Sequence, residues 1–188
     1  MPQPKLFMLM LGCRPEGRNT EQHDMFFSVG NTIKDLVPEI KAFWPEAKGN
    51  IHVDAWREVT QVNGYRITVV PKEGEATAEE ATDKLFFLNL GGYKPGEFDE
   101  FHYKMLAVAG DQAGAIKQAR ETAFYKHTGF KGATSHIDDK FGVDVDELFQ
   151  VKDILPEAVK QQYSLQVTAS NTDVEDEMHL GYFQLHKL

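Results

Sequence analysis

The chain has 188 residues, of which 41% are hydrophobic and 26% charged, and these proportions are typical of a globular protein rather than a disordered one. Its formal net charge is −9 and no cluster of Lys and Arg offsets it, so we expect neither nucleic acid nor an anionic membrane surface as a partner. A single cysteine, Cys13, and the lack of any apolar run near the roughly 18 residues of a membrane span predict a cytoplasmic protein without disulfides, and a homo-oligomer stays open.

The first part of the chain is predicted to be a strand followed by a helix. Leu6–Leu11 is a short apolar run that ends at a glycine, which is typical of a buried strand. A loop with glycine and proline follows, from Gly12 to Arg18. The residues from Asn19 onward resemble a capping box, so we expect a helix to begin there. The Gly-Asn-Thr sequence at 30–32 predicts a stop and a new N-cap.

A β-hairpin is predicted next. Asn63-Gly64 lies between the β-rich runs Ile51–Val59 and Tyr65–Val70, and Asn-Gly in that position is the strongest short hairpin signal. Residues 1–71 are therefore predicted to form one strand–helix–strand–strand unit. The acidic, Ala-rich residues 72–83 are predicted to form a linker.

The segment after the linker repeats the first one. Lys5–His23 aligned with Lys84–His102 has nine identities in nineteen positions, where average residue usage gives roughly one. Farther along, His52-Val53-Asp54 is echoed by His136-Ile137-Asp138. Residues 84–156 are therefore predicted to be a second copy of the unit, and residues 157–188 a C-terminal extension with a short helix and strands.

This organisation predicts an α/β fold, with α+β as the alternative. We expect the two repeats to be related by a pseudo-twofold axis and to pack as one globular unit, with one mixed sheet or two packed sheets. In the second repeat the helix is predicted to start at Asp99 and to be most regular over Ala113–Tyr125.

Three segments resemble a known bacterial family. The opening KLFMLMLGC, the segment GRNTEQHD and the segment HVDAWREV are similar to the domain of unknown function numbered 1543. The resemblance covers Lys5–Val70 and extends more loosely into the second repeat. The family is described as having one or two copies of the domain per chain, which agrees with the repeat. It implies no activity.

The twinned histidines are the first candidates for chemistry. His23 and His102 are predicted to lie in the first helical turn after a Gly-rich loop, at the C-terminal end of a strand. A helix N-terminus keeps an imidazole neutral, so that it can bind a metal or polarise a carbonyl group. The alternative is a structural role, in which each imidazole hydrogen-bonds its own loop.

The loop of the first repeat is the second candidate. Arg14, Arg18, Asn19 and Glu21 surround the predicted helix N-terminus, where backbone N–H groups favour anions. A carboxylate or phosphate ligand would suit the arginines, which are otherwise ordinary solvated side chains. Cys13 lies beside this loop and is conceivable as a thiolate partner of an imidazole, but a lone cysteine next to an apolar run is usually a small buried hydrophobe.

A metal set is the third candidate. His52 and Asp54 lie two residues apart on a strand and so share a face, and with His23 they would form a set of two imidazoles and one carboxylate. A right-handed strand–helix–strand connection would place His23 and His52 at opposite ends, which argues against this set unless the broken helix folds back or the pseudo-twofold axis brings the two repeats together. The alternative is a pair of cross-strand hydrogen bonds.

His136 and Asp138 would form the corresponding set with His102 in the second repeat. No motif indicates a cofactor, so a divalent metal is the one cofactor considered. The leading hypothesis is a small-ligand-binding protein or an enzyme with its site at the first loop and His23 as the chemical group. The rivals are a structural or interaction module without a small ligand, and a metal-dependent enzyme.

Overall fold

The computed structural model describes residues 3–72, 82–93, 97–127, 144–172 and 174–188. The chain divides into two compact units. The first unit consists of Met1–Ala76 together with Ile154–Leu188, and the second unit is Thr77–Asp153. The C-terminal segment therefore belongs to the same unit as the N-terminal one. Most of the predicted linker at 72–83 lies outside the described residues.

Strands outnumber helices among the described elements. In chain order these are β1 (Lys5–Cys13), β2 (Gln22–Gly30), a 3-10 turn (Ile33–Leu36) leading into α1 (Val37–Phe43), a 3-10 turn (Pro45–Ala47), β3 (His52–Glu58), β4 (Gln61–Val62), β5 (Tyr65–Pro71), β6 (Lys84–Tyr93), β7 (Glu100–Ala109), α2 (Gln112–His127), β8 (Asp144–Gln150), a 3-10 turn (Val151–Ile154), α3 (Glu157–Gln162), β9 (Tyr163–Ala169), β10 (His179–Gln184) and a 3-10 turn (Leu185–Lys187). Within the described residues, no helix combines the length and the apolar character needed to cross a membrane.

The described strands form three sheets, with the orders β10–β3–β1–β2 and β4–β5–β9 in the first unit and β7–β6–β8 in the second. Every described ladder is antiparallel. The predicted mixed α/β class is confirmed, and the antiparallel pairing gives it the α+β form that the sequence left open. The expectation of one mixed sheet or two packed sheets is wrong for the described strands.

The helix predicted to begin at Asn19 is instead the strand β2, and the one predicted at Asp99 is β7. Four consecutive residues of β2, Phe26 to Val29, are buried, so both faces of the strand are covered. A strand buried on both faces has no alternation of apolar and polar residues, and its apolar run is easily taken for a helix. The apolar residues Phe26, Ile33, Val37 and Ile40 follow one another at helical spacing in the sequence, which favours a helix there, but they belong to β2, to the 3-10 turn and to α1.

Several local predictions are confirmed. Asn63 and Gly64 both have positive φ, 50° and 78°, which is typical of the tight hairpin turn that Asn-Gly predicts. A turn of helix begins after Thr32, and the Asp35 carboxylate accepts hydrogen bonds from the N–H groups of Asn31 and Thr32, at 3.1 and 2.9 Å. The helix α2 contains the predicted Ala113–Tyr125, and the C-terminal helix and strands are present.

Each unit has its own core, with β1 and β6 at the centre of their sheets. The core of the first unit includes Phe7, Leu9, Leu11, Leu36, Ile40 and Val53. The core of the second includes Phe86, Leu88, Leu90, Ala107, Ala115 and Ala119. Three core positions of β1 carry the same residues in β6, Phe, Leu and Leu, at an offset of 79. Burial of this apolar surface, at about 25 cal/mol per Å², fixes the central strands that carry the candidate site.

Candidate functional site

The candidate site of the first unit forms around Gly12, near the end of β1. Gly12 is paired with His23 on β2 and with His52 on β3. Cross-strand neighbours in an antiparallel sheet share a face, so the two histidines flank the glycine. The predicted separation of His23 and His52 is wrong, because β1 and β2 form a hairpin and β3 runs antiparallel to β1. The helix α1 connects β2 to β3, which run parallel to each other on either side of β1, so the first residues of both strands lie at the same end of β1.

A bulge directs the carboxylate of Asp54 toward this position. Met10 is paired with Ala55 and Leu11 with Val53, so Asp54 is the extra residue between them. A bulge of this kind redirects a side chain. Oδ2 of Asp54 lies 3.1 Å from Nε2 of His23, and Oδ1 lies 3.2 Å from Nε2 of His52.

Glu21, which immediately precedes β2, provides the second carboxylate. Its Oε1 lies 3.0 Å from Nε2 of His52, and its Oε2 lies 3.9 Å from Nε2 of His23. Each carboxylate therefore faces both imidazoles. We call Glu21, His23, His52 and Asp54 the first cluster.

Glycine at position 12 leaves the space that the first cluster occupies. A Cβ atom on Gly12 would lie 2.3 Å from Nε2 of His52 and 2.4 Å from Oδ2 of Asp54. Real Cβ atoms do not approach heavy atoms so closely, so any other residue would displace the cluster. The requirement here is for close approach, not for an unusual backbone conformation.

His52 is the buried member of the first cluster, with 7% of its surface exposed. Its ring packs against Tyr182 of β10, with the ring centroids 4.2 Å apart. Nε2 of His52 and Oδ2 of Asp54 are buried, and neither has a hydrogen bond of acceptable geometry despite the short distances. A buried polar atom without a partner costs about 1–3 kcal/mol, and a single N–H group cannot point at two carboxylates at once.

Three pairs of atoms in the first cluster lie at distances that suit metal ligation, although no three of its side chains place one ligand atom each within 4.8 Å of the other two, so they must move slightly to share an ion. Imidazole nitrogens and carboxylate oxygens are both ligands for divalent transition metals. Ligand atoms about 2.1 Å from an ion lie about 3.0 Å apart when adjacent in an octahedron and about 3.4 Å apart in a tetrahedron. The three short distances of 3.0, 3.1 and 3.2 Å fall in this range.

The first cluster is open on one side. The side chains of His23 and Glu21 are 43% and 45% exposed, whereas those of His52 and Asp54 lie deeper. Water or a small molecule therefore has access to the edge formed by His23 and Glu21.

The other candidates of the first loop lie around the cluster without joining it. Arg14, Arg18 and Asn19 are exposed on the connection between β1 and β2. Because no helix begins there, the N-terminal N–H groups expected to favour an anion are absent, and anion binding by the arginines stays a prediction. Cys13 is buried, and burial, followed by the charge of Glu21, raises the pKa of its thiol, which argues against a thiolate nucleophile.

In the second unit, His102 lies beside two carboxylates. Its Nε2 is 3.2 Å from Oδ2 of Asp146 and 4.0 Å from Oε2 of Glu100. Asp146 was not among the predicted residues. His136 and Asp138, which were predicted to complete this set, lie outside the described residues.

The sheet register also corrects the predicted correspondence between the repeats. In the first unit β3 pairs with the central strand β1, and in the second unit β8 pairs with the central strand β6 in the same way. The strand β8 begins with Asp144-Val145-Asp146. The counterpart of His52-Val53-Asp54 is therefore this segment, at an offset of 92, and the predicted correspondence with His136–Asp138 is wrong. The shared Val-Asp pair was the available signal, but the exact three-residue echo at 136–138 outweighed it.

The fold and the first cluster define a mixed α/β protein with antiparallel sheets and a histidine–carboxylate site at the end of a central strand. Residues 18–69 match the model of a family described as Domain of Unknown Function (DUF1543). The match confirms the resemblance seen in the sequence, and it contains all four residues of the first cluster.

A solved structure similar in fold is the crystal structure of a protein Il1583 from Idiomarina loihiensis. It has a TM-score of 0.61 and 20% sequence identity, and the alignment covers 97% of each chain. This similarity shows the fold alone. Comparison with curated proteins gives no match.

Proposed function

We propose that the first unit binds one divalent transition-metal ion through the first cluster. The observation that carries this proposal is the buried Nε2 of His52, which faces Glu21 and Asp54 at 3.0 and 3.2 Å without making a hydrogen bond. A cation between these atoms would give the nitrogen lone pair a partner. It would also offset the two carboxylate charges, of which Asp54 is the more buried and so the more costly to leave uncompensated.

The ligand types favour one group of metals. Two imidazoles together with two carboxylates suit Zn²⁺, Fe²⁺ or Co²⁺ better than Mg²⁺ or Ca²⁺, which prefer oxygen ligands alone. Structural zinc sites are closed by four protein ligands, whereas catalytic sites leave a coordination position for water or substrate. The exposed edge at His23 and Glu21 supports a site of the catalytic type, with a coordination position open to water or substrate.

We therefore infer a metal-dependent enzyme, or a binder of a small ligand, in which the ion polarises a water molecule or a ligand oxygen. Arg14 and Arg18 lie on the connection between β1 and β2, next to this edge in the chain. Their charges would favour an anionic small molecule, which is the substrate class that we propose.

The rival function is a structural one, in which the same four side chains only join β1, β2 and β3. On that account the carboxylates hold the imidazoles in place through electrostatic contacts alone. Removing His52 would then lower stability, and added metal would have no effect on the wild-type protein. The metal account predicts instead that a saturating ion stabilises the native state by about 2.7 kcal/mol at a hundred times the dissociation constant.

The test is a Co²⁺ titration of untagged, chelator-treated protein, followed by visible absorption and reversed with Zn²⁺. The wild type should develop ligand-field bands that zinc removes. In His52→Ala the affinity of the first cluster for Co²⁺ should fall by more than the roughly 10–100-fold that outer-shell partners contribute. This variant should therefore bind one equivalent less at the Co²⁺ concentrations that saturate the wild type. His186→Ala, which removes an exposed histidine of the same unit, is the matched control and should behave as the wild type. Equal titrations of all three proteins would contradict the proposal.

A further inference from the structure

We propose that the second unit holds a second divalent metal ion at Glu100, His102 and Asp146, and that this site binds more weakly and is less selective for zinc over manganese than the first. We call these three residues the second cluster. The comparison rests on the function proposed for the first unit. The second cluster itself is a separate set of residues with its own geometry.

The three side chains are close enough to share an ion. One ligand atom from each, an imidazole nitrogen and two carboxylate oxygens, lies within 4.8 Å of the other two. The distance of 3.2 Å between Nε2 of His102 and Oδ2 of Asp146 matches the short distances of the first cluster. The distance of 4.0 Å from the same nitrogen to Glu100 requires a small movement of an exposed side chain.

The second cluster occupies the same register positions as the first. Gly91 of β6 is paired with His102 on β7, as Gly12 is paired with its histidine on β2. The ladder between β6 and β8 shifts register between Asn89 and Leu90, so that Asp146 is the extra residue of a bulge, as Asp54 is. This equivalence comes from strand pairing and is independent of any sequence alignment.

The close approach to glycine is repeated as well. A Cβ atom on Gly91 would lie 2.4 Å from Oδ2 of Asp146 and 2.8 Å from its Oδ1. The bulge therefore directs this carboxylate over the glycine in both units. A glycine, a bulged aspartate and a cross-strand histidine therefore occur together in both units. Because a bulge interrupts the regular hydrogen bonds of the ladder, strand pairing alone does not explain why it is present in both.

The difference between the clusters lies at the fourth position. Where β3 has His52 opposite Gly12, β8 has Asp144 opposite Gly91. The second cluster therefore contains one imidazole instead of two, and loss of a nitrogen ligand reduces the preference for zinc over harder ions such as Mn²⁺. The side chains of Glu100, His102 and Asp146 are 40%, 35% and 22% exposed, close to the 45%, 43% and 22% of Glu21, His23 and Asp54, so the weaker binding is expected from the missing buried imidazole.

The test counts metal equivalents on the full chain. The variant His23→Ala/His52→Ala disables the first cluster, and its titration with Mn²⁺, by electron paramagnetic resonance, and with Zn²⁺ should show one remaining equivalent. Adding Asp146→Asn or His102→Ala should reduce that affinity at least about tenfold, because even the outer-shell partners of a ligand contribute roughly 10–100-fold. Glu121→Gln, an exposed carboxylate of the same unit, should leave it unchanged.

The outcomes separate the two proposals. Two equivalents in the wild type and one in the double variant would support both sites. One equivalent in the wild type that persists in the double variant would contradict the first site and support the second. No equivalent in the double variant, while circular dichroism shows it folded, would overturn the second site. We expect the zinc-to-manganese affinity ratio of the remaining site to be at least about tenfold lower than that of the first, and an equal ratio would contradict the stated selectivity.

Discussion

The two clusters share three positions and differ at a fourth. This comparison shows that the backbone pairing determines where the site lies, whereas the side chain at the fourth position determines which ligands it contains. In both units a glycine on the central strand is flanked by a histidine and by a bulged aspartate. In the first unit the fourth position adds a buried imidazole, covered by the ring of Tyr182. The strand register thus creates the position of the site, and burial of His52 gives the first cluster its unpartnered nitrogen.

The largest expected effect comes from adding one methyl group at the glycine. Gly12→Ala places a carbon 2.3 Å from Nε2 of His52 without removing any proposed ligand. We expect the metal affinity of the first cluster to fall more than about 100-fold, because the ligands must move apart. Calorimetric titration with Zn²⁺ measures the change.

The second unit provides the comparison for this variant. Gly91→Ala should weaken the second cluster and leave the first unchanged, because its Cβ meets Asp146 instead. Gly110→Ala is the control, since its added carbon lies 3.4 Å from the nearest atom, the Thr82 carbonyl oxygen. Unchanged zinc binding by a folded Gly12→Ala protein would contradict the steric account of the site.

A smaller effect is expected from the aromatic ring that packs on His52 in the first cluster. Tyr182→Ala removes the ring that packs on His52, and the imidazole gains rotational freedom. We expect roughly a tenfold loss of zinc affinity, at the lower end of the range for groups that orient a metal ligand. Tyr182→Phe keeps the ring and should bind normally, as should Leu180→Ala on the same strand. A loss in the Phe variant as large as in the Ala variant would show that the hydroxyl group matters instead of the ring contact.

The smallest expected effect concerns Cys13, which reports on the first unit alone because it is the single cysteine. Burial raises the pKa of its thiol, so the neutral thiol is favoured in the native state. The contribution of this thiol to the free energy of unfolding is therefore lost as the pH rises through the raised pKa. We expect native protein to react with iodoacetamide more than about tenfold more slowly than unfolded protein, with further protection by zinc. Fast labelling of the native, zinc-loaded protein would show that the end of β1 opens freely.

Local signals in the sequence predicted much of the fold. The Asn63-Gly64 hairpin, the cap at Thr32 and the helix α2 all depend on interactions within a few residues, and all three are present. The error at β2 and β7 has a physical cause. A short apolar run can form either a helix or a strand, and the choice depends on what covers each face of the segment. That cover comes from residues distant in the sequence.

The site was predictable in its members and not in its arrangement. His23, His52 and Asp54 were all candidates because their types suit metal ligation, and the histidine and glutamate of the hairpin recur in the repeat. Their convergence depends on the antiparallel pairing of three strands and on a bulge at Asp54, neither of which a local pattern encodes. Asp146 was missed for the same reason, because its bulge is visible only in the ladder between β6 and β8.

The most direct measurement is anomalous diffraction at the zinc edge from crystals of the untagged protein grown with Zn²⁺. The account predicts a peak about 2.1 Å from Nε2 of His52, with Asp54 and either His23 or Glu21 completing its ligands. At saturating zinc, a first cluster without a peak, with Nε2 of His52 donating a hydrogen bond to one of its carboxylates, would contradict the account.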